Sequence, residues 1–300
     1  MLKSDSHKKT QHLMNNSTPL PVRIIRPHEG IEAFQYNFLS LFSDWLTTKN
    51  LAWRIFVRDT QAMLRMSFLG YFWLVAPTLA NTFVWVFLSS TEVVRIDSGN
   101  VPYPLFVFVG TLLWTAFNNG VVSGLGLVDD AKGTLAKVNF PIESILLASF
   151  GKNLLTIAIT ALGLIPFLFL YTVPLSFGIL LFPLQLLLVL IFGTAIGLFF
   201  VPIAALFSDL SRAIHLGLRF LFFLSPVFYP IPLEGTSRWI MLFNPVSAMI
   251  ITPRWTLLGG EQPAIGLFVL YGILGIALLL GSLVATKVAL PHILERVSGT

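Results

Sequence analysis

The sequence predicts an all-α membrane protein with six transmembrane helices, and three observations lead to that fold class. Hydrophobic residues make up 55% of the 300-residue chain and charged residues only 11%, whereas soluble domains carry roughly 25% charged residues. Apolar runs of the length that crosses a bilayer, about 20 residues, recur along the chain. The charged residues concentrate in the short segments between those runs.

The distribution of charge divides the chain into four regions. Residues 1–37 are expected to form a flexible cytoplasmic N-terminus, and residues 38–66 an amphipathic interface helix that also forms part of a cytoplasmic gate. Residues 67–286 hold the six-helix transmembrane domain, and residues 287–300 form a cytoplasmic C-terminus.

A basic stripe marks the amphipathic segment. Arg54, Arg58, Gln61 and Arg65 are spaced by four, three and four residues, which places them on one helical face. A helix with such a basic face and apolar residues elsewhere lies in the membrane interface, with its arginines among lipid phosphates. A soluble helix packed on a partner is the alternative.

Six apolar runs define the predicted spans. The first contains Pro77, and the fourth contains Pro183 and Pro202 and is longer than a bilayer requires, so it must tilt, kink or project. Residues 230–262 mix prolines, charges and short apolar pieces, which predicts two short external helices that do not cross the membrane. The predicted spans are residues 68–93, 103–128, 145–171, 175–207, 214–229 and 264–286.

A charged island at residues 128–152 separates the second span from the third. The residue before a proline avoids the helical region, so a short helix is expected to end near Asn139 and a new one to start at Pro141. This pattern predicts a short helix across the mouth of the membrane bundle, and an ordinary solvated loop is the alternative.

Basic residues predict the orientation of the chain. Six spans place both termini on one side of the membrane, and most lysines and arginines fall on that side. The opposite side carries only Arg95, Arg238 and Arg254. Because positive charge favours the cytoplasmic side, both termini and the charged island are expected there.

The sequence lacks the motifs of several function classes. It has no GxxxxGK[ST] phosphate-binding loop, no HExxH, no paired histidine ligands and no cysteine. The ionisable residues inside the spans are chiefly His215 and Arg219, whereas ion-coupled pumps usually place such residues at mid-membrane. A self-contained enzyme, a metal site and a proton-coupled carrier are therefore disfavoured, and transport would need energy from a partner subunit.

Several short motifs, taken in their order and spacing, resemble one family of transporters. They are Leu51-Ala52-Trp53-Arg54, residues 67–73 with Pro77, residues 135–141, Ser208-Asp209-Leu210-Ser211-Arg212, residues 225–230, Asn244-Pro245 and Arg254-Trp255. Over roughly residues 44–286 the chain resembles the membrane (permease) subunit of ATP-binding-cassette exporters for cell-surface polysaccharides, the O-antigen, capsule and teichoic-acid export family.

Two positions depart from the pattern of that family. After the aromatic residue of the charged island the family usually has Pro-Arg, whereas here Pro141 is followed by Ile142-Glu143. Ser208 precedes Asp209 where the family usually has arginine. These departures bear on the contacts with the partner subunit.

The resemblance implies the partners and the location of the chain. It implies a homodimer of six-span subunits joined to two ATP-binding-cassette subunits in the bacterial inner membrane. ATP and magnesium would be bound by those partner subunits, so this chain would hold no cofactor. The substrate would be a lipid-linked polysaccharide that passes through a continuous channel. Membrane lipids are expected contacts, and nucleic acid is not.

The resemblance also implies roles for two groups of residues. In the charged island, Phe140 would be the apolar anchor on the ATPase and Lys137 a charge at the rim, with simple packing of Phe140 on the bundle as the alternative. Arg54, Arg58 and Arg65 would contact lipid phosphates or the pyrophosphate of the substrate, with plain lipid anchoring as the alternative. The full set assigned to ATPase coupling is Lys132, Lys137, Asn139, Phe140 and Pro141.

Two helical stripes are the candidate walls of the sugar path. Sugars present hydroxyl groups and apolar C–H faces, so a wall that they pass needs aromatic rings and a few weak polar partners. The alternative is that the aromatic residues form interface belts and the threonines pack helices together. The stripe of the first span is Tyr71, Thr78, Thr82, Trp85 and Ser89, and that of the fifth is His215, Arg219, Phe222 and Tyr229.

Other functions remain open at this stage. A teichoic-acid or capsule exporter, or a drug or lipid exporter of the same superfamily, would share these features. A membrane-embedded glycosyltransferase would need acidic catalytic residues, which are scarce here.

Overall fold

The computed structural model describes residues 45–65, 69–93, 96, 98, 99, 101–127, 142–171, 178–231, 243–259 and 264–298. The predicted N-terminal region 1–37 lies outside these residues. The regular structure in the described ranges is helical throughout. The helices are α1 (Trp45–Arg65), α2 (Phe72–Ser90), α3 (Tyr103–Leu125), α4 (Ile142–Leu162), α5 (Leu164–Leu170), α6 (Gly178–Ala204), α7 (Ser208–Leu224), α8 (Pro245–Leu258) and α9 (Ile265–Ser298).

Five stretches of these helices are long and apolar enough to cross a membrane. They are α2, α3, the α4–α5 pair over Ile142–Leu170, α6, and the part of α9 over Ile265–Ala289. A turn at Gly163 separates α4 from α5. The all-helical membrane fold is thus confirmed, and the five stretches coincide with five of the six predicted spans. A sixth span is not confirmed in the described part of the chain.

The predicted fifth span, residues 214–229, was wrong at both ends. The helix there is α7, whose 17 residues extend about 26 Å, less than the roughly 30 Å of a bilayer core. It begins earlier, among the polar residues Asp209 and Arg212. It ends at Leu224 because Ser225 precedes Pro226 and takes an extended conformation, with φ −94° and ψ 146°. The apolar run continues past this break, so hydropathy alone misplaced the helix.

The last helix continues well past the predicted end of the sixth span at residue 286. Helix α9 runs to Ser298, because helical hydrogen bonding need not stop where the apolar run stops. On this extension, the Lys287 ammonium lies 2.6 Å from a carboxylate oxygen of Glu143, at the start of α4. The ion pair ties the C-terminal helix to the first turn of α4.

The centre of the bundle is the close pair α3 and α6. Both helices carry glycines four residues apart, Gly120 and Gly124 on α3 and Gly193 and Gly197 on α6. A Cβ atom added at Gly193 would lie 2.2 Å from the carbonyl oxygen of Phe117, far inside van der Waals contact. Small residues at this spacing let the two backbones touch, which is how helices pack in membranes.

Helix α1 packs on the bundle through one face. Ala52 and Ile55 are buried, and Ile55 belongs to an apolar cluster with Leu127 and Ile142. Gly151 of α4 leaves room for the Phe56 ring, which would lie 3.3 Å from any Cβ atom added there. The amphipathic helix therefore has a buried apolar face toward α4 and an opposite face toward the outside.

Helix α8 is one short helix in the segment predicted to hold two. The Asn244 carboxamide oxygen accepts a hydrogen bond from the Val246 N–H at 3.0 Å and caps its start. Gly259, with φ +76°, ends it. Its 14 residues extend about 21 Å, too short to cross a bilayer. Most of its residues are buried, which shelters its backbone; residues 232–242 lie outside the described residues.

Candidate functional site

A cleft of about 500 Å³ opens between α2, α3 and α7. It mixes amide, cationic and aromatic side chains, whereas the surrounding helix surfaces are apolar. The lining residues are Asn81 of α2, Trp114, Asn118 and Val122 of α3, and His215, Leu218, Arg219, Phe222 and Phe223 of α7.

Helical periodicity brings the α7 side chains into this cleft. His215, Arg219 and Phe222 stand at i, i+4 and i+7, so they share one face. The Phe222 ring meets Trp114 of α3 edge to face, with ring centroids 5.3 Å apart. The His215 Nδ1–H donates to the Ser211 carbonyl oxygen at 2.7 Å, one turn earlier on the helix. The cleft therefore presents hydrogen-bonding groups beside aromatic faces.

The sequence prediction missed six of the nine lining residues: Asn81, Trp114, Asn118, Val122, Leu218 and Phe223. Asn81 and Asn118 supply carboxamides, and Trp114 supplies an aromatic wall. A signal for the amides existed, because Asn81 is the one amide side chain in the first predicted span and Asn118 is one of two in the second. Polar residues inside a span are expensive unless they face protein or water, so each was a candidate on that ground alone.

The structure does not bring the predicted stripe of α2 into the cleft. Thr78 and Thr82 are 1% and 4% exposed, and the Thr82 hydroxyl donates to the Thr78 carbonyl oxygen at 2.8 Å. This corrects the expectation for the two threonines, because a side chain buried inside the subunit cannot line an open path. Tyr71 is exposed ahead of α2, and Ser89 is half-buried near its end.

Two of the predicted aromatic residues, Trp85 and Tyr229, lie outside the cleft lining and both contact the Phe228 ring. Trp85 of α2 stacks on Phe228, with ring centroids 3.6 Å apart and planes 10° apart. Tyr229 packs against Phe228, and its hydroxyl donates to the Phe223 carbonyl oxygen at 2.8 Å. These rings cover the end of α7 rather than line the cleft.

The three arginines of α1 share one exposed face, as their spacing predicted. Together with Trp53 and Gln61, Arg54, Arg58 and Arg65 line an open groove of about 560 Å³. The Arg58 guanidinium pairs with the adjacent Asp59 carboxylate at 2.8 Å. The opposite face of α1 is the buried one, so the arginines remain available to phosphate groups.

The residues assigned to ATPase coupling, Lys132, Lys137, Asn139, Phe140 and Pro141, lie outside the described residues. The helices on either side of that segment are described. Leu127 and Ile142 are buried in the same apolar cluster as Ile55 of α1. Among the residues whose placement is described, no group of three or more histidine, aspartate or glutamate side chains could hold a metal ion.

Five stretches long and apolar enough to span a membrane, packed around a glycine contact with a polar cleft at one flank, define a multi-pass α-helical membrane protein. The chain belongs to the ABC-2 type transporter family, whose description matches residues 50–258.

The chain is also similar to individual proteins that are named as O-antigen export permeases. The chain is 29% identical to the O-antigen export system permease protein RfbA of Myxococcus xanthus over 196 residues, 64% of this chain and 74% of the relative. It is 27% and 26% identical to two RfbA permease proteins of Klebsiella pneumoniae over 208 residues, in each case 68% of this chain and 78% of the relative.

Proposed function

We propose that this chain is the channel-forming membrane subunit of an ATP-driven exporter that carries a lipid-linked, O-antigen-like polysaccharide from the cytoplasm across the bacterial inner membrane. Membership of the ABC-2 family and the similarity to O-antigen export permeases support this function. The observation that carries it is the cleft between α2, α3 and α7, whose amides, cations and aromatic rings suit a sugar chain. Sugars offer hydroxyl groups to the amide and basic side chains, and apolar C–H faces to the aromatic rings.

A second copy of the chain is part of the proposal. Arg219 and His215 are exposed on the described subunit, and a charged side chain that faces hydrocarbon is costly unless protein or water covers it. A second subunit that covers α2 and α7 would remove that cost. The clefts of the two subunits would then face each other and form one path. A twofold dimer is the commonest way to do so with identical subunits.

Energy for transport would come from two ATP-binding-cassette subunits that bind ATP and magnesium. The sequence contains no phosphate-binding loop of its own, which supports this division. The segment with Lys132, Lys137, Asn139, Phe140 and Pro141 would contact the ATPase from the cytoplasmic side. Both termini would then lie in the cytoplasm, in line with the basic residues.

The basic face of α1 would meet the membrane and the head of the substrate. Arg54, Arg58 and Arg65 are exposed together on this face, and their guanidinium groups suit lipid phosphates or a pyrophosphate. Each arginine near an anionic leaflet contributes about 1 kcal/mol to membrane attraction.

The test places bulk inside and outside the cleft on the same helix. Phe222→Trp narrows the cleft, whereas Phe220→Trp adds the same kind of bulk at a side chain that is 69% exposed and outside it. We expect Phe222→Trp to lower surface polysaccharide and to leave lipid-linked glycan on the cytoplasmic side, while Phe220→Trp behaves as the wild type. Co-purification with the ATPase checks assembly of both variants.

Cells that lack the protein separate the alternative functions. Normal surface glycan in cells that lack the protein would contradict polysaccharide export, and a new sensitivity to lipophilic drugs in those cells would indicate a drug exporter. A glycan with a polyol-phosphate backbone that accumulates inside would indicate teichoic acid instead of an O-antigen-like chain.

A further inference from the structure

The segment that follows α7, residues 225–229, is held by three side chains, one from the start of α3 and two from α8 and its N-cap. We name it the strap. The Asn244 carboxamide donates to the Ser225 hydroxyl at 3.2 Å. The Tyr103 hydroxyl, at the start of α3, donates to the Phe228 carbonyl oxygen at 3.1 Å. Between these two contacts, a single arginine holds the next two carbonyl groups.

That arginine is Arg254 of α8, whose side chain is 1% exposed. Its Nη1 donates to the Pro226 carbonyl oxygen at 2.9 Å, and its Nη2 donates to the Val227 carbonyl oxygen at 2.6 Å. The guanidinium carbon lies 4.0 Å from the centre of the Phe106 ring, which adds a cation–π contact. Three successive carbonyl groups of the strap, 226 to 228, are thus each bound by a side chain from another element.

Gly110 of α3 leaves space for the Arg254 guanidinium and the strap. A Cβ atom added at Gly110 of α3 would fall 2.0 Å from Arg254 Nη2 and 2.0 Å from the Val227 carbonyl oxygen. Any side chain at position 110 would therefore displace the guanidinium or the strap.

A buried guanidinium is a costly way to join two segments. Among the described residues, no carboxylate pairs with Arg254. A buried charge without a counter-ion loses its hydration, and an apolar side chain of similar size would pack there at lower cost. The planar fork of donors, however, binds two carbonyl groups in one fixed orientation, which an apolar side chain cannot do. Arg254 therefore sets the position of the strap rather than adding stability alone.

The strap in turn presents the Phe228 ring to α2. Trp85 stacks on that ring at 3.6 Å, and the cleft residues Phe222 and Phe223 lie 5.7 Å and 6.0 Å from it. Helix α2 is otherwise packed lightly, with Thr78 and Thr82 as its fully buried residues, and it contains Pro77. Proline is a common site of helix bending, so α2 rather than the strap is the candidate for the side of this stack that moves.

We propose that Arg254 is a positioning residue for the transport path: it fixes the strap, so that Phe228 is a stationary surface on which Trp85 closes one end of the cleft. The path opens when α2 moves and the Trp85–Phe228 stack separates. In the orientation proposed above, the closed end is the external one. The inference rests on the proposed function, in which the cleft is the transport path of a complex with an ATPase.

The chain contains no cysteine, so a pair of introduced cysteines reports on one contact. In the complete complex with its ATPase, Trp85→Cys with Phe228→Cys should be joined by a short, reducible bis-thiol reagent in the absence of ATP. We expect export to stop on crosslinking and to return after reduction. The control pair Phe83→Cys with Phe228→Cys uses a residue of α2 that is 71% exposed, and should not be joined. Undiminished export by the crosslinked complex would overturn the proposal.

The role of Arg254 is tested by measuring how its substitution changes the crosslinking yield of the Trp85→Cys and Phe228→Cys pair. Arg254→Met keeps length and bulk but removes the donors, so the crosslinking yield should fall severalfold, and Arg254→Lys should restore part of it. If Arg254→Met does not assemble, Tyr103→Phe removes one strap hydrogen bond and should lower the yield by a smaller factor. An unchanged yield in whichever variant assembles would refute the positioning role. The yield does not depend on the substrate, so failure of polysaccharide export in the wild type is a separate outcome.

Discussion

The α3–α6 pair and the α2–α7 flank represent two kinds of helix packing within one subunit. In the most apolar window of α3, 78% of residues are buried, and in that of α2 only 11% are. The α3–α6 contact is made by glycines that bring backbones together, whereas the flank is made by scattered aromatic contacts around a polar cleft. The difference indicates that the α3–α6 pair is the more tightly packed part of the subunit, and the looser flank is where we propose that the substrate contacts the protein.

The largest effect should come from the glycine contact. A Cβ atom at position 193 would lie 2.2 Å from the Phe117 carbonyl oxygen. We therefore expect Gly193→Leu to lower the free energy of unfolding by about 3 kcal/mol or more. Thermal unfolding of the detergent-purified protein measures it. Gly281→Leu on α9 is the control, because a Cβ atom there meets nothing within 4 Å. Equal stability of the two variants would mean that the core is no more rigid than the periphery.

A change in the flank should affect transport rather than folding. Arg219→Leu removes an exposed cation from the cleft. We expect export to slow about tenfold, because the proposed sugar substrate would lose one charge-assisted hydrogen bond of about 1.5 kcal/mol. Export is measured as surface glycan per unit of purified complex. Arg212→Leu, on the same helix but outside the cleft lining, is the matched control. If both variants slow export to the same extent, the loss is due to removing positive charge from α7 in general and not to the cleft.

A smaller effect is expected at the ion pair between Glu143 and Lys287. Their side chains are 15% and 26% exposed and lie 2.6 Å apart. A double-mutant cycle with Glu143→Gln and Lys287→Met should give a coupling energy of about 1 kcal/mol, in the upper part of the range for ion pairs near a surface. Thermal unfolding at low and high salt measures it. A coupling energy of zero would show that α9 is not tied to α4 by this contact.

The smallest effect on folding should come from the basic face of α1. Arg58 is exposed and pairs with its own neighbour Asp59, so Arg58→Gln should change the stability by less than about 0.5 kcal/mol. Binding of the purified subunit to anionic vesicles should nevertheless weaken, and more so for the triple change of Arg54, Arg58 and Arg65. A triple variant that binds such vesicles as the wild type does would argue against phosphate contacts at this face.

Sequence periodicity predicted the helices well and their ends less well. The spacing of Arg54, Arg58 and Arg65 placed them on one exposed face, and that of His215, Arg219 and Phe222 placed them on another. The end of α7 was misplaced because an apolar run does not reveal where Ser225-Pro226 breaks a helix. Helix periodicity relates residues of one helix, so it could not tell whether the stripe of Thr78 and Thr82 meets a neighbouring helix or an open cleft.

The sequence by itself determined the class of protein, because apolar runs of bilayer length and scarce charge leave few alternatives to a helical membrane bundle. It also determined which residues share a helix face, because that follows from 3.6 residues per turn alone. Only the tertiary structure decided which faces meet: that Asn81, Asn118 and Arg219 come together in one cleft, and that Arg254 lies beside Gly110 and the strap. These contacts join residues far apart in the chain, and their positions depend on how closely the helices approach, which no local pattern encodes.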